Sequence, residues 1–195
     1  LSGESKARSF FVFLGKTLLG VGIFPHARFV VFRCSNNVVV INEENKHVQR
    51  INSDALVTNL TDVAISVLTA DCVPILIYDE VNQIIASIHA GWKGAYGGII
   101  ENTLNEIIKI SKNGKINIAV GPCISTKNYE VGQNFYDKFI LESKNNENFF
   151  LTTKKNKYFF DLREYVNSKF KNFKAKQVEN IDFDTFSENK KFFSF

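Results

Sequence analysis

The strongest constraint on the fold is a series of short, apolar, β-branched runs that recur every few residues. They are Val38–Ile41 (VVVI), 55–57 (ALV), 63–68 (VAISVL), 75–78 (ILIY), 84–88 (IIASI) and 116–120 (INIAV). Runs this short and this rich in Val and Ile read as strands buried on both faces. Residues 79–82 (DEVN) have the length and turn chemistry of a hairpin connection between two of them. One segment has a clear helical period: Ile99, Ile100, Thr103, Leu104, Ile107 and Ile108 recur at three- and four-residue steps, and Lys112-Asn113-Gly114 stops the pattern. Shorter helical patterns cover 135–141 and 162–173, the latter through Leu162, Tyr165, Val166, Phe170 and Phe173, while 178–195 alternates weakly enough to predict a closing strand. Strands interleaved with helices and joined partly by hairpins predict a mixed α/β fold rather than a doubly wound parallel sheet. The 195 residues suit a single domain, 1–195.

Charge and cysteine usage narrow the partners. Lys and Arg number 24 against 20 Asp and Glu, a formal net charge of +4. The basic residues are interspersed with Asn and Glu, so no concentrated basic face predicts nucleic-acid binding. No stretch of ~20 uncharged apolar residues is present to span a membrane. Residues 5–24 loosely imitate a signal peptide behind Lys6 and Arg8, but Lys16 interrupts the run and no small-x-small cleavage site follows. The chain starts at Leu1 and contains no Met, which reads as a processed, truncated or incomplete N-terminus. Three widely spaced cysteines, Cys34, Cys72 and Cys123, argue against a disulfide framework and for a reducing, cytoplasmic setting.

Two groups able to carry chemistry stand at strand ends. Cys72 lies between the runs 63–68 and 75–78, and His89 closes the run 84–88. If 75–78 and 84–88 pair as a hairpin, their distal ends bring Cys72 and His89 to the same edge of a sheet. The pair could then serve as thiolate and imidazole in nucleophilic catalysis, or as two ligands of a zinc ion. The plain alternative is that Cys72, a lone cysteine beside a strand, is a small buried hydrophobe. The stretch His89-Ala90-Gly91-Trp92-Lys93-Gly94, with Gly97-Gly98 beyond, sits where a strand hands over to a helix. Lys93 and backbone N–H groups there would suit a phosphate or carboxylate, and the competing reading is a tight turn with Trp92 as a packed aromatic. Asp71 is either a base beside the thiol or a residue that shapes the loop ahead of Pro74. Cys123 reads as a packed thiol.

Taken together, the blocks Ser53-Asp54-Ala55-Leu56-Val57-Thr58, Thr69-Ala70-Asp71-Cys72-Val73-Pro74-Ile75-Leu76 and His89-Ala90-Gly91-Trp92-Lys93-Gly94 resemble the YfiH-like family. This family is also called laccase-domain or multicopper polyphenol oxidase, and its members are now regarded as purine nucleoside phosphorylases. Gly121-Pro122-Cys123-Ile124, Tyr129-Glu130-Val131-Gly132 and Phe192-Phe193-Ser194-Phe195 extend the resemblance, which covers about 34–195. It implies a mixed α/β fold with β-sheets layered with helices in an α/β/β/α manner, and a zinc (or copper) site at a surface pocket held by two His and one Cys. Cys72 and His89 match the Cys and the second His. Where the first His belongs, this chain reads Phe32-Arg33-Cys34-Ser35, so Cys34 takes its place and the implied ligand set is Cys34, Cys72 and His89. Two thiolates would make the metal a poorer Lewis acid. His26 and His47 are off the matching position, and residues 1–33 depart from the family pattern.

The resemblance implies a cytosolic, zinc-dependent phosphorylase of adenosine, inosine and methylthioadenosine, with adenosine deamination as a side activity through a metal-activated water. Its partners would be a small nucleoside and phosphate, and the protein a monomer or weak homodimer. In that reading Trp92 or Tyr96 would stack on the base, Lys93 and the backbone from Gly94 to Gly98 would hold phosphate, and Asp71 would tune the site of Cys72 and His89 or act as a base. A second reading is a metal-free hydrolase or amidase with Cys72 as nucleophile and His89 as base, as the related fold of bacterial toxin deamidases suggests. A third is a non-catalytic or degenerate editing factor for a cell-wall precursor. Multicopper oxidase chemistry fits poorly, because three histidines cannot supply a blue-copper centre and a trinuclear cluster.

Overall fold

The computed structural model describes residues 11–13, 27–31, 35–48, 50–154, 156–171, 173–188 and 190–194. Its largest sheet has the order β13 (Gln177–Asn180), β9 (Ile116–Val120), β7 (Val73–Asp79), β8 (Ile84–Ala90), β5 (Ala55–Thr58) and β3 (Val38–Ile41). The two outermost pairs, β13 with β9 and β3 with β5, are parallel, and the inner pairs are antiparallel. A second, wholly parallel sheet has the order β1 (Phe11–Phe13), β6 (Ala64–Leu68), β2 (Ala27–Val31) and β4 (Arg50–Asn52). A small antiparallel sheet joins β10 (Glu130–Gly132), β12 (Lys157–Phe160) and β11 (Phe150–Lys154). Helices α1 (Trp92–Tyr96), α2 (Ile99–Ile110), α3 (Gln133–Glu142) and α4 (Leu162–Ser168) complete the described elements.

Strand β8 shows why its sequence lacks an apolar–polar alternation. It is buried at every position, because each face meets a different layer. Ile84, Ala86, Ile88 and Ala90 pack with Ile99, Ile100, Leu104 and Ile107 of α2. Ile85, on the opposite face, packs with Leu56, Ile41, Ile65 and Val67 between the two larger sheets. Side chains alternate along a strand, so Ser87 and His89 share the face of Ile85. His89 is thereby set between two sheets, at the end of a strand, where an apolar core gives way to loops.

The hairpin expected between 75–78 and 84–88 is present as β7 and β8, paired from Val73 opposite Ala90 to Asp79 opposite Ile84. At its turn the buried Asp79 carboxylate accepts hydrogen bonds from Ser111 Oγ (2.6 Å), Asn82 Nδ2 (2.8 Å), Val81 N (3.0 Å) and Lys115 N (3.1 Å), tying the turn to the entry of β9. The helix expected over 162–173 is shorter. After Ser168, Lys169 and Phe170 donate to carbonyls three residues back, and the chain tightens while Phe170 still packs in the core. The closing strand is likewise reduced to β13, followed by a single bridge between Cys123 and Asp184. Apart from β1 and β2, residues 1–34 lie outside the described residues, and with them the signal-like run as a unit. Among the described residues no helix is long and apolar enough to cross a membrane.

Candidate functional site

The β7–β8 register places Pro74 opposite His89, with Cys72 just before β7 and Gly91 just after β8. A Cβ built on Gly91 would stand 2.8 Å from Cys72 Sγ and 3.8 Å from His89 Cε1. Thiol and imidazole therefore converge on one point of the sheet edge, and only glycine at position 91 leaves the sulfur its room.

His89 is 5% exposed, and its Nδ1 lies 2.8 Å from Oδ1 of Asp54. Asp54 is wholly buried at the entry of β5, where its carbonyl also accepts the His89 N–H at 2.8 Å. The second carboxylate oxygen accepts both the N–H and the hydroxyl of Ser35, each at 2.6 Å. Burial pushes the Asp54 carboxyl up, but the hydrogen bonds from His89 and Ser35 outweigh it and hold it below its ordinary value. An ionised carboxylate can only accept, so it fixes the proton of a neutral imidazole on Nδ1 and leaves the lone pair on Nε2.

Asp71, immediately before Cys72, has φ of 71°, in the left-handed region. Its two carboxylate oxygens accept from Thr185 Oγ1 (2.7 Å) and Ser194 Oγ (3.0 Å), and its carbonyl accepts from Ile124 N (3.0 Å). These bonds match the loop-shaping reading of Asp71. Tyr129 also borders this loop: burial above all, then the negative charge of Cys72 and Asp71, pushes its phenol well up. Asp54 and Tyr129 are the two neighbours that the sequence reading did not single out as site residues. Asp54 had one signal, its place just ahead of a buried run that pairs with the run ending in His89.

The residues after Gly91 form α1. Trp92 is half-buried against Phe135 (ring centres 4.9 Å apart) and Phe139, with the ammonium groups of Lys93 and Lys138 5.6 and 5.3 Å from its ring centre. Its surroundings are those of a packed aromatic. Lys93 is exposed. Gly94 is buried for a steric reason, since a Cβ there would lie 3.0 Å from the Ser35 carbonyl. The N–H groups of Ala95, Gly97 and Gly98 donate to the carbonyls of Gly91, Lys93 and Ala95, so the expected backbone phosphate cradle over 94–98 is largely engaged in its own turns. Gly98, with φ of 88°, makes the left-handed step into α2.

Cys34 and His26 lie outside the described residues. Ser35, next in the chain to Cys34, bonds the same carboxylate that holds His89. His47 is exposed in the turn beyond β3, at the opposite edge of the sheet. Cys123 is a fully buried thiol, pushed up to about 12 by burial. Among the described residues no group of three His, Cys, Asp or Glu is placed to hold a metal ion. The donors at Gly91, one thiol and one imidazole oriented by a carboxylate, are nonetheless of the type zinc selects.

A layered α/β fold with a Cys–His pair at the end of a central hairpin defines the class of the protein. The sequence profile of the multi-copper polyphenol oxidoreductase laccase family matches residues 24–195, and the chain belongs to this family. It is 33% identical over 156 residues to a purine nucleoside phosphorylase of Rickettsia conorii, covering 78% of this chain and 64% of that protein. A Rickettsia prowazekii protein of the same name is 34% identical over 155 residues, again covering 78% of this chain and 64% of the relative. The chain thus spans about 64% of the length of these curated relatives. A crystal structure of a Neisseria meningitidis protein superposes with a TM-score of 0.74 at 28% identity, over 86% of this chain and 68% of that one.

Proposed function

We propose that the chain is the core of a zinc-dependent purine nucleoside phosphorylase acting on adenosine, inosine and methylthioadenosine, with adenosine deamination as a side activity. The observation that carries this reading is the meeting of Cys72 Sγ and His89 at Gly91, with the imidazole turned by Asp54. The names of the Rickettsia relatives supply the substrate class. Cys72 and His89 would hold the metal with Cys34, the residue before Ser35 in the chain, as the family resemblance implies. Zinc would supply Lewis-acid polarisation at the site. In phosphorolysis, a phosphate oxygen attacks the anomeric carbon as the bond to the purine breaks. Lys93, exposed two residues beyond Gly91, would meet the incoming anion. Asp54 would keep the proton on Nδ1 of His89 and the lone pair on Nε2 throughout. The odd cysteine count supports a reducing compartment, and the proposal carries with it a monomer or weak homodimer.

The array Asp54–His89–Cys72 also has the order of a Cys–His–Asp catalytic triad, which favours as second reading a metal-free hydrolase or amidase. One experiment separates the two. Purified protein, its metal content measured, is incubated with adenosine and phosphate before and after chelation, and the products are resolved by chromatography. Adenine and ribose 1-phosphate that vanish on chelation, together with slow alkylation of zinc-loaded Cys72, support the phosphorylase. No product from zinc-loaded protein overturns it. Cys34→His in the same assay tests the third ligand, and metal content at wild-type level or above is expected.

A further inference from the structure

Asp71 is a non-glycine residue held in the left-handed region, directly before the thiol on which the site depends. Asp tolerates this region better than most side chains, and here its carboxylate is held by groups from the far end of the chain. We propose that Thr185 and Ser194 form a clamp, as positioning residues that lock Asp71 and so set the place of the Cys72 thiol. The inference rests on the Cys72–His89 site of the proposed function.

The two hydroxyls take opposite oxygens of the Asp71 carboxylate, at 2.7 and 3.0 Å, which removes its rotational freedom. The clamp is itself anchored. Thr185 is 3% exposed, and its N–H donates to the Cys123 carbonyl at 3.1 Å. The neighbouring Asp184 accepts from Ser125 N and Ser125 Oγ, both at 3.0 Å, as well as from Asn128. The loop beyond β9 supports the same backbone from beneath, since Ile124 N donates to the Asp71 carbonyl and Gly121 N to that of Pro74 (2.8 Å). Asp71 therefore sits between a sheet-anchored loop and a sheet-anchored tail. The thiol it precedes has little tolerance for error, because the space on the Gly91 side is only as large as a missing Cβ. In this role the Asp71 carboxylate is a structural hinge pin for Cys72.

The test uses the 195-residue chain and two readouts. One is zinc affinity by competition with a chromophoric chelator; the other is the rate of iodoacetamide alkylation at Cys72 in metal-free protein, followed by peptide mass spectrometry. In Thr185→Val/Ser194→Ala, zinc affinity should fall by about tenfold or more, the size found when groups orienting a ligand are removed, and Cys72 should alkylate severalfold faster. Thr185→Ser, which keeps the hydroxyl, should hold wild-type values. If the double variant fails to fold, Ser194→Ala alone, at a half-buried position, should move both readouts in the same direction. Unchanged readouts in the variants lacking a hydroxyl, or Thr185→Ser behaving like Thr185→Val, would overturn the clamp. A wild-type chain that takes up no zinc would sink the phosphorylase reading instead, and the alkylation rates would still decide the clamp.

Discussion

At the scale of single residues, the site depends on groups whose importance is invisible until partners are known. Asp54 carries no local mark; an acidic residue ahead of a strand reads as a turn former. Its role arises only because β5 pairs with β8 and brings it to 2.8 Å from the His89 ring. Cys72 and His89 were legible because each stands at the end of an apolar run, and the hairpin geometry then dictates that they meet. Trp92, Lys93 and Gly94 were legible as a cluster but not in their individual duties, which turn on packing against Phe135, on exposure and on the Ser35 carbonyl. Asp54→Asn is the informative substitution. An amide in its place can donate to the imidazole and reverse the tautomer, so the chain should stay folded while zinc affinity falls about 10- to 100-fold. Equal chelator-competition curves for variant and wild type would show that the carboxylate does not orient His89.

At the scale of elements, the β-branched runs were readable because strands buried on both faces tolerate little else. Helix α2 was readable because one apolar stripe faces the sheet. The third helix and the closing strand were overextended, since side-chain periodicity continues through Phe170 and Phe173 after the α-helical bonding has ended. The aromatic cluster behind α1 was the element-level feature least accessible from sequence. It gathers Phe135, Phe139, Phe150, Phe160 and Tyr165 from α3, β11, β12 and α4, elements that approach only in the fold. Phe139 is fully buried at its centre and touches both Trp92 and Tyr96. Phe139→Ala should cost about 3–5 kcal/mol of stability by cavity formation. Urea unfolding checks the loss, and Trp92 fluorescence should shift to the red in the folded variant as α1 loosens.

At the scale of the whole molecule, buried ionisable groups set the pH range in which the fold survives. Burial raises the Asp79 and Asp184 carboxyls, but hydrogen bonds from Ser111 and Asn82, and from Ser187 and Ser125, outweigh it and hold both below their ordinary value of 3.8. Their contribution is complete above that value and is lost as pH falls through the lower, native one. Cys123 acts at the other end: its thiol ionises near 9.0 when unfolded and is pushed up to about 12 by burial when folded. Stability should hold below pH 9 and then decline by about 1.4 kcal/mol per pH unit as the unfolded thiol ionises first. Urea midpoints recorded across this range should slope downward, and Cys123→Ala should remove that component of the slope.

The contact between Asp71 and Ser194 spans 123 positions of the chain. Proteins are made from the amino end, so Cys72 and His89 emerge on the ribosome well before the hydroxyl that restrains their loop is synthesised. On the proposed clamp, nascent chains should carry the thiol and imidazole in a slack arrangement until translation has passed residue 194.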